Sequence, residues 1–128
     1  MLAYLWVGLG GALGSMARHW CNGAFLRAFG ANWMGTLVIN VLGSLVIGLA
    51  SSLMSNDGRF PSTPTAQVFV MTGICGGYTT FSAFSLQTLS LIQGSQWLAA
   101  GLNIVLSVVL CLAAVWIGHA AGVAISGN

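Results

Sequence analysis

Beyond Arg59 the chain carries no Asp, Glu, Lys or Arg. Over all 128 residues the charged side chains are Arg18, Arg27, Asp57 and Arg59. A soluble domain needs about a quarter of its residues charged to cover its surface. This chain is 3% charged and 57% hydrophobic, with a mean hydropathy of +0.92. Water cannot be its main solvent. The composition therefore implies an all-α integral membrane protein.

The hydropathy pattern predicts four spans of roughly 20 residues or more, each long enough to cross a bilayer. They run about Leu2–Trp20, Trp33–Leu53, Thr65–Gln93 and Gln96–Val123. Residues 21–32 are expected to link the first pair. The turn-rich stretch Ser55–Pro64 (SNDGRFPSTP) is expected to link the second and third. One transmembrane domain, 1–128, fills the chain. The first span lacks the positive n-region of a signal peptide and reads as a retained helix.

Cys21, Cys75 and Cys111 are odd in number and form no C-x-x-C motif, which argues against a disulfide framework or a zinc site. They read as small apolar residues. Four spans place Arg59 on one side and Arg18 and Arg27 on the other. Orientation follows the Lys/Arg asymmetry of the loops. A difference of one residue is small, so insertion in both orientations is plausible. Nucleic acid is not an expected partner; the lipid bilayer is.

Two polar stripes mark the spans. Thr36, Asn40, Ser44 and Gly48 are spaced four apart and share one helix face. Asn103, Ser107 and Cys111 do the same in the fourth span. Such side chains commonly bond between helices, at about 1 kcal/mol each or less, and Ser44 and Ser107 fit that role. Asn40 stands out, because an amide has two donors and an acceptor to satisfy near mid-membrane, where burial without partners is costly. Gly10-x-x-x-Gly14 and Ala114, Gly118 and Gly122 supply small-residue faces for close helix approach, within a chain or between chains. No span contains a carboxylate, whereas proton-coupled transporters rely on intramembrane carboxylates or histidines. His19 and His119 lie at span ends. A passive path lined by neutral donors fits better. Four helices are few for a pore, so oligomerisation is expected.

The third span is too long for one straight crossing. From Thr65 to Gln93 an α-helix would extend about 43 Å, against a hydrocarbon core of about 30 Å. Gly76-Gly77 at its centre predicts a break into two half-helices, or else a plain glycine kink; physics alone does not choose. A break would free carbonyls able to hold a small hard cation, and N–H groups at the partly positive start of the second half. Thr79, Thr80 and Ser82 have no adjacent base and read as donors and caps, so enzyme chemistry is not expected. Phe81 and Phe84 share a face. They pack, or they turn the positive ring edge toward an anion.

Three blocks together carry a resemblance across nearly the whole chain. Gly10-Gly11-Ala12-Leu13-Gly14-Ser15-Met16-Ala17-Arg18 is similar to the pattern GGxxGAxxR. Gly35-Thr36-Leu37-Val38-Ile39-Asn40 with Gly43 is similar to GTLxxN. Gly73 to Ser85, GICGGYTTFSAFS, is similar to GxxGGxTTFSTF. In this order and at this length the chain resembles the CrcB/Fluc family of fluoride channels.

That resemblance implies a homodimer of antiparallel, dual-topology subunits with two pores. It implies passive export of fluoride from microbial cells, in a bacterial inner (plasma) membrane. By motif, Phe81 and Phe84 would line the fluoride path, with Asn40 and its polar neighbour Thr36. Thr80, Ser82 and Ser107 would add hydroxyls, and Arg18 would stand at the vestibule. A structural sodium ion would lie on the dimer axis, held by the backbone carbonyls of Gly76 and Thr79 from each subunit. The chain departs from the pattern at Ala83 (usually Thr), Gln87 (often Glu) and Cys111 (often Ser). Two rivals remain open: a small dual-topology multidrug antiporter, which needs a carboxylate that the first span lacks, and a non-transporting subunit of a larger membrane complex.

Overall fold

The structure is a computed structural model describing residues 2–60 and 62–127. Pro61, in the turn-rich loop, lies outside them. The described residues form helices and no strand. They comprise α1 (Leu2–Phe29), α2 (Asn32–Leu53), α3 (Pro64–Gln67), a π-helical segment (Val68–Cys75), α4 (Gly76–Tyr78), α5 (Phe81–Gln93) and α6 (Trp97–Ser126). From α3 through the π segment to α4 the backbone runs on as one helical rod.

Asn32–Leu53 and Trp97–Ser126 are each long and apolar enough to cross a membrane. The outer faces agree with that solvent. Tyr4, Trp20, Trp97, Leu98 and Trp116 are all more than half exposed. A water-soluble chain rarely leaves so much large apolar surface uncovered.

The first helix corrects the expected boundary. Residues 21–29, expected as linker, continue α1 to Phe29. Gly30 ends it in the left-handed region (φ +69°), with its N–H on Leu26 O at 2.9 Å. Only Gly glides into that conformation without steric cost. Arg27 in the last turn suits the negative end of the helix dipole. Loss of hydropathy at Trp20 marked a change of surroundings, not a helix end.

Packing follows two pairs. In the first, α2 lies along α6. In the second, α1 lies along the α3–π–α4 rod. Lipid tails supply no hydrophobic drive between helices, so close backbone approach and interhelical bonds must hold the pairs. Glycines provide the approach. A Cβ on Gly14 would strike Ile74 O and sit 2.8 Å from Tyr78 N; one on Gly10 would sit 2.6 Å from Phe69 O. On the other pair, a Cβ on Gly118 would strike Leu45 O, and one on Gly48 would strike Val115 O. Both small-residue faces read from the sequence are thus used within the chain.

Polar bonds add to the α2–α6 interface. Ser52, buried between α2 and α6, has its Oγ 2.8 Å from His119 Nδ1 and 2.9 Å from His119 O. Arg59 donates from its backbone to Ser126 Oγ at 3.1 Å and from Nη1 to Ile125 O at 3.4 Å, joining the loop to the end of α6. α5 rests on α6 and α2.

Gly14→Ala and Gly118→Ala should each destabilise the protein by about 1–3 kcal/mol, because backbone must move to admit the methyl group. Gly8 and Gly101 have open space around them. Gly8→Ala and Gly101→Ala should be neutral or stabilising by up to about 1 kcal/mol through helix propensity. Thermal unfolding in detergent of the four variants checks the contrast.

Candidate functional site

Helical conformation stops at Tyr78 and resumes at Phe81. Between them Thr79 (φ −80°, ψ 160°) and Thr80 (φ −154°, ψ 116°) are extended. The interruption is not at Gly76-Gly77, where the sequence placed it. Gly76 has αR dihedrals (φ −64°, ψ −36°), and Gly77 is helical. The reason is contact: a Cβ on Gly77 would sit 2.6 Å from Gly11 O, so the residue serves close packing on α1.

In an unbroken α-helix the Thr80 N–H would bond Gly76 O, four residues back. It donates instead to Asn40 Oδ1 at 2.8 Å. Asn40 Nδ2 donates to Thr80 O at 3.1 Å. One amide from α2 thus pairs with both backbone groups of the extended residue. Without it, two polar backbone groups at membrane depth would each cost several kcal/mol. Thr80 then caps α5, its Oγ1 accepting from the Ala83 N–H at 3.2 Å. Thr79 closes the preceding turn, with its N–H and its Oγ1 both on Cys75 O at 3.0 Å. From α1, Arg18 Nη1 donates to Thr79 O at 3.3 Å, and Ser15 Oγ to Gly77 O at 3.4 Å.

Two clefts flank this clamp. The first, about 450 Å³, is bounded by α2, the rod, α5 and α6. It gathers Asn40, Gly76, Thr79, Thr80, Phe81, Phe84 and Ser107. The Phe81 and Phe84 rings lie 5.1 Å apart at 47°. Phe81 is 78% exposed, so it stands at the open side. The second cleft, about 390 Å³, holds Arg18, Thr36, His19, Asn22 and Gln87. Thr80 borders both.

The clefts therefore bring together most of the residues singled out from sequence and divide them into two sets. Ser82 lines neither. It is exposed and meets the set only through its Oγ, 3.3 Å from Thr80 Oγ1. Asn103 is 1% exposed and bonds Thr88 Oγ1 at 2.9 Å. Thr88 Oγ1 donates to Phe84 O at 2.8 Å. Ser107 Oγ donates to Asn103 Oδ1 at 3.4 Å. This buried chain ties α6 to α5 behind Phe84 and is structural at Asn103. The sequence reading missed Thr88; the need of Asn103 for a buried partner was the available signal. It also missed the Ser52–His119 contact. Gln87 Oε1, bordering the second cleft, is buried with no hydrogen-bond partner among the described residues.

Electrostatically the first cleft favours a small anion. It meets the N-terminal end of α5, which carries partial positive charge. Asn40 has a second Nδ2 hydrogen beyond the one given to Thr80 O. Phe81 and Phe84 line the cleft as well, and no carboxylate lines either cleft. A hard cation would find backbone oxygens nearby. Turning the Thr80 N–H to Asn40 takes the usual helical donor from Gly76 O, and Gly76 is exposed. The Thr79 oxygen would have to serve a cation with the lone pair that Arg18 does not use. The donor type fits sodium, and one chain supplies two such oxygens.

A family model described as "CrcB-like protein, Camphor Resistance (CrcB)" matches residues 5–119. A protein of Rhodospirillum rubrum named "Fluoride-specific ion channel FluC" is 52% identical over 126 residues, covering 98% of each chain. A protein of the same name from Paramagnetospirillum magneticum is 52% identical over 127 residues, covering 98% of this chain and 99% of its own. Another, from Methylocella silvestris, is 51% identical over 124 residues, covering 96% and 95%. With the family model spanning nearly its whole length and relatives sharing half its residues end to end, the chain belongs to the CrcB family.

Proposed function

We propose that the protein is a fluoride channel that lets fluoride leave the cell passively and so lowers its cytoplasmic concentration and toxicity. The observation that carries this reading is the first cleft. There Asn40, Thr80 at the start of α5, Phe81, Phe84 and Ser107 line one cleft that has no carboxylate. The near full-length relatives named as fluoride channels support it.

Fluoride is small and strongly hydrated, so a path must replace its water with donors. Arg18 in the second cleft attracts the anion and offsets its cost at low dielectric. Thr36 and Thr80 carry it past the clamp. The remaining Asn40 hydrogen and the ring edges of Phe81 and Phe84 receive it in the first cleft, beside Ser107, whose own proton goes to Asn103. Each donor is weak, which lets the ion leave as well as enter. The lack of a carboxylate in either cleft disfavours proton-coupled drug exchange.

The chain crosses a bacterial inner membrane four times, by α1, α2, the rod with α5, and α6. The first cleft lies open at Phe81, and two antiparallel copies close it. The backbone carbonyls of Gly76 and Thr79 from both copies would hold a sodium ion, which would supply positive charge to the site.

Asn40→Asp should cut fluoride efflux by about a hundredfold or more. The carboxylate places a negative charge about 4 Å from the path, worth about 4 kcal/mol at an effective dielectric near 20. Undiminished efflux from liposomes, read with a fluoride electrode, would remove Asn40 from the path. Phe81→Ile should lower efflux about three- to tenfold by losing the ring edge, with the dimer intact by size-exclusion chromatography. Exchanging sodium for potassium should lower the thermal midpoint of the purified dimer by about 5 °C or more, since the ion binds only the folded form. An unchanged midpoint across sodium concentrations would speak against the carbonyl site.

A further inference from the structure

We propose that Arg18 couples the two clefts: its guanidinium weakens cation binding at the Thr79 carbonyl, and an anion in the second cleft, by offsetting that charge, strengthens it. The coupling rests on the carbonyl site and the conduction reading proposed above.

In an unbroken helix the Thr79 carbonyl would accept from the Ala83 N–H, four residues on. That N–H goes to Thr80 Oγ1 instead, at 3.2 Å. The donor that reaches the freed oxygen is Arg18 Nη1, at 3.3 Å from α1. Thr79 lines the first cleft, and Arg18 lines the second. One hydrogen bond therefore joins a charge in one cleft to a cation ligand in the other. Ser15 makes a similar bond from α1, to Gly77 O at 3.4 Å, but it brings no charge.

Arg18 is half-buried, and no carboxylate lines either cleft. Within the clefts, the offset for its charge must come from a mobile anion. A bound cation and the guanidinium would share one oxygen, and like charges that close repel even where the effective dielectric is about 20. An anion beside Arg18 lowers that repulsion, because the cation then faces a neutral pair. Linkage makes the effect reciprocal: a cation on the carbonyls raises the affinity of the second cleft for an anion by the same factor.

The test reads sodium affinity from the thermal midpoint of the purified full chain in detergent, over a sodium series with either gluconate or fluoride as the anion. Wild type should hold sodium about three- to tenfold more tightly in fluoride. Arg18→Gln removes the charge and keeps a side-chain N–H donor. It should hold sodium about tenfold more tightly than wild type in gluconate, with no further gain in fluoride. A merely structural Arg18 would lower the midpoint at every sodium concentration and leave sodium affinity unchanged. Arg27→Gln, at the end of α1 and outside both clefts, should behave as wild type. Equal wild-type sodium affinity in the two anions would overturn the coupling, as would an Arg18→Gln no tighter than wild type in gluconate. Should Arg18→Gln fail to fold, the wild-type comparison decides alone. A wild-type midpoint that ignores sodium would overturn the carbonyl site and the coupling with it, whereas a sodium response without an anion effect overturns the coupling alone.

Discussion

The pairing of the Asn40 amide with both backbone groups of Thr80 is the contact on which the site depends. An extended residue inside a membrane protein exposes an N–H and a C=O that lipid cannot satisfy. Asn40 answers both, at 2.8 and 3.1 Å. With Thr80 held extended, its hydroxyl caps a new helix at Phe81, and that helix starts with its positive end beside the first cleft. The same contact separates the two clefts, because Thr80 borders each. Local backbone conformation, the field of α5 and the separation of the two clefts all follow from one side chain on α2.

The clamp can work only if α2 and the rod are held in register, and glycine contacts hold them indirectly. α1 presses on the rod through Gly10 and Gly14, and Gly77 meets the α1 backbone at Gly11. Gly43 on α2 faces Thr79, where any Cβ would strike the Thr79 methyl group. On the far side, Gly48 and Gly118 bring α2 and α6 together. The buried chain from Ser107 through Asn103 and Thr88 then ties α6 to α5. Helix association in lipid relies on such backbone approach and interhelical bonds, which explains why so small a protein contains so many glycines.

Much of this was legible from residue order. Hydropathy located the helices, and four-residue spacing put Thr36, Asn40, Ser44 and Gly48 on one face. Two readings went astray for physical reasons. Arg18 and His19 place the end of the first span near Trp20, but backbone hydrogen bonding continues to Phe29 regardless of the surrounding solvent. Gly76-Gly77, central in a span too long for one straight crossing, reads from sequence as a break or a kink. Packed against Gly11, the absence of a side chain at Gly77 is what lets the helix persist. The interruption falls at two β-branched residues that tolerate extended backbone and have a partner amide to hold it.

The sequence by itself determined the solvent of the protein, its helical content, its family and the residue types available to an ion. These follow from composition and from spacing along the chain, which are local properties. Tertiary structure alone decided that Asn40 spends one donor and its acceptor on Thr80, that Arg18 reaches the Thr79 carbonyl, and that Ser82 lines neither cleft. Those outcomes depend on side chains tens of residues apart meeting across helix interfaces, and no local spacing encodes such a meeting.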